Sequence, residues 1–163
     1  MLAYTQIMTE PADRELPYVA RYILHQWRVG VLATYSSNGI DGVPVVFHYD
    51  GQVIWVPQDG KPKGEGRLQR FVNVEANPAC TLLLQHYSSN WDDLWWLRLR
   101  GQGVESSLGQ QVRYSLASKY PQYATTALGS RALRFEITTA RLWSARPLTL
   151  QAVDAAVQQQ ASS

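Results

Sequence analysis

The chain has 163 residues, of which 45% are hydrophobic and 17% are charged. This length and composition predict one globular domain with a core of its own, and they exclude a disordered chain. The formal net charge of +2 is too small to indicate nucleic acid binding. The single cysteine, Cys80, excludes an internal disulfide and a cysteine-based zinc site, which suits a reducing compartment.

Residues 1–15 lack a basic patch followed by an apolar run, so we expect no signal peptide. No stretch approaches the roughly 18 consecutive apolar residues of a membrane-spanning helix. We therefore expect a cytoplasmic protein that has no membrane partner and no nucleic acid partner.

The first third of the chain predicts one helix followed by three strands. Apolar residues recur at helical spacing between Leu16 and Trp27, which predicts an amphipathic helix over 14–27. Three runs rich in β-branched and aromatic residues follow, over 28–39, 40–51 and 52–60. Asn-Gly and Asp-Gly pairs end the first two runs, so these strands should form an antiparallel meander.

The rest of the chain alternates between helices and strands. A helix is predicted in the second half of 61–78, where Asn77-Pro78 ends it, and another over 107–119. Strands are predicted over 79–87, 94–106 and 131–145, and the last of these has Leu133, Phe135 and Ile137 on one side. The tail, 147–163, is predicted to be a short helix that frays into disorder.

The order of these elements predicts the fold class. Six strands in the order three, helix, two, helix, one indicate a six-stranded antiparallel β-barrel with helices at its ends. We therefore expect a mainly β or α+β fold, in a single domain over 1–146.

Metal and hydrolytic sites are not predicted. The histidines His25, His48 and His86 fall on a predicted helix and two strands without the spacing of a ligand set, so we interpret them as structural. No nucleophile elbow or phosphate-loop motif is present. Asp92 and Asp93 are adjacent, and neighbours on an extended chain point to opposite faces, so they make a poor acid–base pair.

The basic segment 61–70, KPKGEGRLQR, is the main electrostatic feature of the sequence. It holds Lys61, Lys63, Arg67 and Arg70 against one acid, Glu65. Arg67 and Arg70 are spaced i, i+3 on one face of the predicted helix. Cations beside the free amides of a helix N-terminus suit a phosphate group. The segment also fits a solvated surface loop, and the sequence alone leaves both interpretations open.

Three tryptophans, Trp91, Trp95 and Trp96, fall within six positions. On an extended strand from residue 94, Trp95 shares a face with leucines, which predicts barrel core. Trp96 shares the other face with Arg98 and Arg100. An aromatic ring beside two arginines does not suit a dry interior, so this face predicts a subunit interface or an anionic ligand. Trp91 should cap the same region.

Five segments, in chain order, resemble the flavin and deazaflavin split β-barrel proteins, which are the relatives of pyridoxamine 5′-phosphate oxidase. These segments are RVGVLATYSSNG, VPVVFHYDG, KPK, LQRFVNVEANPACTLLLQHY and WDDLWWLRLRGQG. The branch that the chain resembles most is the PPOX-class F420-dependent oxidoreductases, through its HY…W…LWW segment and its SKYPQY helix end. The resemblance covers about residues 20–145.

The resemblance implies a homodimer whose cofactor, F420 or FMN, lies in a groove between the subunits. The ring contacts that it implies are Thr34, Pro44, Val45, Val46, Trp91 and Trp96. The phosphate contacts that it implies are Lys61, Lys63, Arg67, Arg70 and Asn73. The Arg-x-x-x-Lys arrangement of true pyridoxamine phosphate oxidases is not evident, so we do not expect oxidation of vitamin B6 itself.

The sequence therefore leads to one leading hypothesis and two alternatives. The leading hypothesis is an oxidoreductase that transfers a hydride from reduced F420, or from FMN, to a small unsaturated organic substrate. His86 and Tyr87 are candidates for delivering a proton. One alternative is a module that binds a flavin, F420 or haem-type molecule without turnover. The other is a cofactor-free split barrel that serves as a dimeric scaffold.

Overall fold

Eight strands and four α-helices form the part of the chain that the computed structural model describes, which is residues 5–9, 16–59 and 66–162. The strands are β1 Thr5–Thr9, β2 Val29–Ser36, β3 Gly39–Val46, β4 His48–Tyr49, β5 Val53–Asp59, β6 Ala79–His86, β7 Trp95–Ser107 and β8 Leu128–Ser144. The helices are α1 Tyr18–Gln26, α2 Gln69–Ala76, α3 Gln110–Lys119 and α4 Leu150–Ala161. Short 3₁₀ turns lie at Trp91–Asp93 and Pro121–Ala124.

All of these strands belong to one antiparallel sheet. Seven of them follow the order β3-β2-β6-β7-β8-β5-β4, and β1 pairs with β8 beside this path. The two ends of the path, β3 and β4, are separated in the chain only by Phe47, which is fully buried. The chain therefore passes directly from one end of the sheet to the other, so the sheet must curl on itself.

The predicted α+β fold with an antiparallel sheet is confirmed, but the count of six strands is wrong. The two additional strands are β1 and β4. β4 has only two residues and is set apart from β3 by one buried residue, so the sequence shows a single continuous run there.

Alternating strand residues and apolar helix faces fill the core. On β7, Trp95, Leu97 and Leu99 are at most 2% exposed, which confirms their predicted place in the core. The tail contains the helix α4, whose Val153 and Ala156 are buried in the same core. None of the helices in the described residues is long and apolar enough to cross a membrane.

An irregularity in β8 reverses which of its side chains face the interior. Opposite β7, the register shifts by one residue, which leaves Thr138 as the extra residue of a β-bulge. Phe135 faces the interior before the bulge, and Leu142 does so after it. Arg141 and Trp143 consequently lie on the outer face of the sheet, whereas one unbroken alternation from Phe135 would have placed them inside.

Candidate functional site

A cleft opens where the edge of β3 meets the end of β5. Among the described strands β3 pairs only with β2, so its second edge carries backbone groups without a strand partner. β5 ends at Asp59, just before the basic segment. The cavity measures about 400 Å³, within the usual range for small ligands. We call it the β3–β5 cleft, and residues that line it include Arg28, Val29, Val46, Asp59, Tyr120 and Tyr123.

Two tyrosines that follow α3 form one wall of the cleft. Tyr123 donates a hydrogen bond of 2.9 Å to Asp59 Oδ1. The Tyr120 hydroxyl accepts from the Phe47 backbone N–H at 3.1 Å and lies 2.8 Å from the Arg28 carbonyl oxygen. Burial raises the pKa of both phenols, and Asp59 raises the pKa of Tyr123 further. Both hydroxyls therefore remain protonated at neutral pH.

Arg70 lies in the first turn of α2 and is electrostatically coupled to Asp59 in the cleft. Its Nη2 donates to the Pro57 carbonyl oxygen at 2.7 Å, and burial lowers the pKa of its guanidinium. Its Nε is buried and has no hydrogen-bond partner among the residues that the structure describes. Because an unpaired buried donor is costly, this atom fits an anionic oxygen of a ligand. Lys61 and Lys63 lie outside the described residues.

Arg67 does not share a helix face with Arg70, so that prediction is wrong. α2 begins only at Gln69, and Arg67 precedes it. The Arg67 guanidinium forms ion pairs with Glu75 on α2 and Glu105 on β7, and hydrogen bonds to these carboxylates raise its pKa. Arg67 is thus held by two carboxylates of this chain, which leaves Arg70 as the better candidate for a phosphate contact.

Asn73 and Thr34 connect α2 to the hairpin of β2 and β3. Asn73 Nδ2 donates to Thr34 Oγ1 at 2.9 Å and to Asp41 Oδ2 at 2.8 Å, and Asn73 Oδ1 accepts from Gln69 Nε2 at 2.9 Å. Asn73 and Thr34 are each 3% exposed. This arrangement engages both polar atoms of the Asn73 side chain, so its contacts serve the packing of α2. Thr34 also lines a separate groove beside Arg100.

The segment from Pro44 to Val46 reaches the cleft at one end only. Val46 lines the cleft, whereas Val45 is buried in the core and Pro44 is exposed on β3. The structure therefore brings Val46 together with Asp59, next to Arg70.

The other predicted site residues do not line the cleft. Trp91 is 71% exposed in its 3₁₀ turn, and Trp96 lies on the outer face of the sheet. Tyr87 is 73% exposed. His86 is half-buried, with its ring centroid 6.1 Å from that of Trp95, and it lines a cavity of about 320 Å³ beside α4. Burial lowers the pKa of His86, so its imidazole is neutral at pH 7.

A polar cavity of about 560 Å³, which no pattern in the sequence predicted, lies at the C-terminal ends of α1 and α3. His25 and His48 line it together with Lys119, whose Nζ donates to the Leu24 carbonyl oxygen at 3.1 Å. Burial lowers the pKa of Lys119 to about 7. Burial and then Lys119 lower the pKa of both histidines. The lysine belongs to the SKYPQY segment, the one sequence feature that could have indicated this cluster.

Comparisons with known proteins place this geometry in context. No protein-family model matches the chain, and no curated protein matches it by sequence. An FAD-binding protein from Mesorhizobium loti is 16% identical, with a TM-score of 0.54 over 87% of this chain and 99% of that protein. A protein provisionally assigned as a pyridoxamine 5′-phosphate oxidase, from Listeria innocua, is also 16% identical, with a TM-score of 0.54 over 74% of this chain and 91% of that one.

A third solved structure of this fold is a haem-binding protein from Mycobacterium smegmatis. It is 16% identical, with a TM-score of 0.56 over 83% of this chain and 58% of that one. At such identities the likeness is one of fold. The chain therefore shares its mainly antiparallel α+β fold with flavin-binding, oxidase-like and haem-binding proteins.

Proposed function

We propose that this chain binds a flavin-type cofactor, F420 or FMN, in the β3–β5 cleft and transfers a hydride to a small unsaturated organic substrate. The observation that carries the proposal is the Arg70 Nε atom, which is buried and has no hydrogen-bond partner among the described residues. Arg70 is coupled to Asp59 in the cleft, which Val46, at the end of the edge strand β3, also lines. The fold shared with an FAD-binding protein and an oxidase-like protein supports it.

The residues around the cleft suit such a cofactor. Backbone groups on an unpaired strand edge can hydrogen-bond the polar rim of a flat tricyclic ring. Val29 and Val46 offer apolar surface to the face of the ring. Arg70 can supply a charge-assisted hydrogen bond to a phosphate. The bound cofactor provides the hydride, so the protein has only to orient the reactants and exclude water.

We further propose that the chain forms a homodimer through the outer face of β2 and β3. On β2, Val29, Val31 and Tyr35 share this face and are 41%, 40% and 49% exposed. Ile40 on β3 pairs with Tyr35 and is 68% exposed. Apolar patches of this kind on neighbouring strands suit burial against a second copy. Because Val29 also lines the cleft, the partner subunit would lie near the bound cofactor.

Absorption spectroscopy tests cofactor binding directly. The protein is incubated separately with FMN and with F420, and free ligand is removed by gel filtration. We expect one of the two spectra to be retained, and retention of neither contradicts the proposal. The retained cofactor is then reduced and mixed with a quinone acceptor under anaerobic conditions. Reoxidation no faster than that of free cofactor would favour binding without turnover.

The Arg70→Gln variant tests the phosphate contact. We expect its affinity for the retained cofactor to fall roughly tenfold, because a charge-assisted hydrogen bond is lost. The matched control is Arg134→Gln on β8, since Arg134 already pairs with Glu136. Affinities are measured by fluorescence titration. Equal affinities for wild type and Arg70→Gln, or an equal loss in both variants, would speak against a role for Arg70.

Haem binding without turnover is the second candidate function. The haem-binding protein of the same fold favours it, as does the cavity that His25 and His48 share. Neutral imidazoles are competent iron ligands, and both histidines have lowered pKa values. Titration with haemin tests this candidate: a shifted Soret band that disappears in His25→Ala or His48→Ala supports it. An unshifted band rules it out.

A further inference from the structure

Three arginines meet on the outer face of β7 and β8. Arg98 on β7 pairs directly with Arg141 on β8, and Arg100 follows on the same face of β7. Like charges directly opposite one another destabilise a sheet. The bulge at Thr138 creates this encounter, because it turns Arg141 outward. The three positive charges thus lie on one face of the sheet. Without the bulge, Arg141 would face the interior and would be separated from Arg98 and Arg100.

No carboxylate of the described residues compensates this cluster. None of the three arginines forms an ion pair within 16–59 and 66–162, whereas four other arginines there do. The Arg141 Nε atom is buried and has no hydrogen-bond partner within the described part of the chain. Burial, and then the charges of Arg100 and Arg141, lower the pKa of Arg98. These residues thus leave the positive charge of the cluster available to an anion.

Trp96, which stacks on Trp143, lies beside two of the three guanidinium groups. Trp96 and Trp143 stack with ring centroids 6.2 Å apart and an interplanar angle of 15°. The guanidinium carbons of Arg98 and Arg141 lie 5.4 Å and 5.9 Å from the Trp96 ring centroid. Such cation–π contacts restrict the side chains. Pre-organised planar guanidinium groups lose less entropy when they bind an oxyanion through paired N–H donors.

A groove of about 570 Å³ continues from the cluster along the sheet. Arg100 lines it together with Thr81 on β6, Gln102 on β7 and the bulge residue Thr138. These side chains offer hydroxyl and amide groups to the polar remainder of a ligand. No acidic residue lines the groove within the part of the chain that the structure describes.

We propose that Arg98, Arg100 and Arg141 form a binding site for a multivalent oxyanion, a phosphate or pyrophosphate group of a small polar ligand. The site is distinct from the β3–β5 cleft, since the two share no lining residue. It therefore stands independently of cofactor binding. The groove is also lined by Tyr35 and Ile40 of the proposed dimer face, so a dimer through that face would adjoin the site.

Calorimetric titration with inorganic pyrophosphate tests this site. We expect wild-type binding that weakens as salt is raised, because charge carries it. Arg98→Gln and Arg141→Gln should each weaken binding roughly tenfold or more, as expected for the loss of a charge-assisted hydrogen bond. The control, Arg134→Gln on the same strand, should bind as the wild type does. No binding by the wild type at low salt, or equal binding by all four proteins, overturns the proposal.

The same samples separate a ligand site from a protein contact. Sedimentation velocity gives their oligomeric state, and weakened binding at an unchanged oligomeric state supports the proposal. Dissociation of the arginine variants, with or without loss of binding, assigns the cluster to a subunit interface and overturns a site made by one chain. Arg98→Gln should retain FMN or F420 as the wild type does, so this proposal and the flavin proposal fail independently.

Discussion

Lys119 carries an amine that folding places against two carbonyl oxygens and an aromatic ring. Its Nζ lies 3.1 Å from the Leu24 oxygen, 3.4 Å from the Phe47 oxygen and 4.2 Å from the centroid of the Phe47 ring. Burial lowers the pKa of this amine from 10.5 to about 7. Above neutral pH the folded protein has therefore lost a proton that the unfolded chain still binds.

The free energy of unfolding should consequently depend on pH through this residue. We expect it to rise from about pH 7 towards the unfolded pKa of 10.5, because only the unfolded chain is protonated at Lys119 over that window. In Lys119→Met this contribution to the rise should be absent. Urea unfolding of both proteins at a series of pH values measures the difference. The same slope in both proteins would assign the rise to other groups.

The basic segment 61–70 shows which properties of single residues a sequence does not predict. Its cations can be counted in the sequence, but their partners cannot be read there. Arg67 finds Glu105 across 38 positions because the register of β7 brings that carboxylate to α2. Asn73 likewise reaches Asp41 across 32 positions. Such distant contacts decide which polar side chains remain available for a ligand.

The junction of β3 and β4 depends on the segment that follows α3. The chain turns there at Phe47, whose backbone N–H is satisfied by the Tyr120 hydroxyl at 3.1 Å. The Tyr120 hydroxyl can in turn donate to the Arg28 carbonyl oxygen, which lies just before β2. One side chain thus connects the junction, the start of β2 and the end of α3.

Removing this hydroxyl should destabilise the protein. We expect Tyr120→Phe to lower the free energy of unfolding by about 1–3 kcal/mol, because the buried Phe47 N–H loses its partner. Tyr114→Phe on α3 is the control, since Tyr114 is 66% exposed and should tolerate the change. Urea unfolding curves of both variants provide the comparison. Equal stability of the two variants would mean that the hydroxyl does not hold the junction.

Among the elements, local patterns predicted the helices and long strands better than the irregularities. The apolar spacing before Trp27 corresponds to α1, and the alternation in 94–106 corresponds to β7. The bulge at Thr138 was not predictable, because it is defined by the partner strand and not by the residues of β8. The end of α2 at Asn77-Pro78 was predictable, since proline disfavours helix in the residue before it.

At the scale of the whole molecule, the outer face of β2 and β3 should decide the oligomeric state. We expect Val31→Asp to convert a dimer into a monomer, because a carboxylate would be buried at the interface without a partner. Val72→Asp on α2 is the matched control, since both valines are 40% exposed. Sedimentation velocity distinguishes the outcomes. A dimeric Val31→Asp protein would place the interface elsewhere, and a monomeric wild type would exclude a dimer.

The sheet order shows why the overall fold could be predicted only in outline. The meander of neighbouring strands follows from short turns, but β5 pairs with β8 across 69 to 83 positions of the chain. The curling of the sheet depends on that distant pairing and on the buried residue between β3 and β4. A sequence indicates the long strands and the fold class, whereas closure requires contacts between segments that no local pattern joins.

The bulge at Thr138 also constrains how this protein can change in evolution. It decides which residues of the 17-residue strand β8 face the interior. Deleting Thr138 would therefore turn the buried side chains beyond it outward and the exposed ones inward. Insertions or deletions in β8 are therefore tolerated only when they add or remove an even number of residues. Gly101, opposite the bulge, is equally restricted, because an added Cβ there would lie 1.9 Å from the Glu136 carbonyl oxygen. We therefore expect related chains that keep this glycine to keep also the number of residues between the bulge and the tryptophan at position 143.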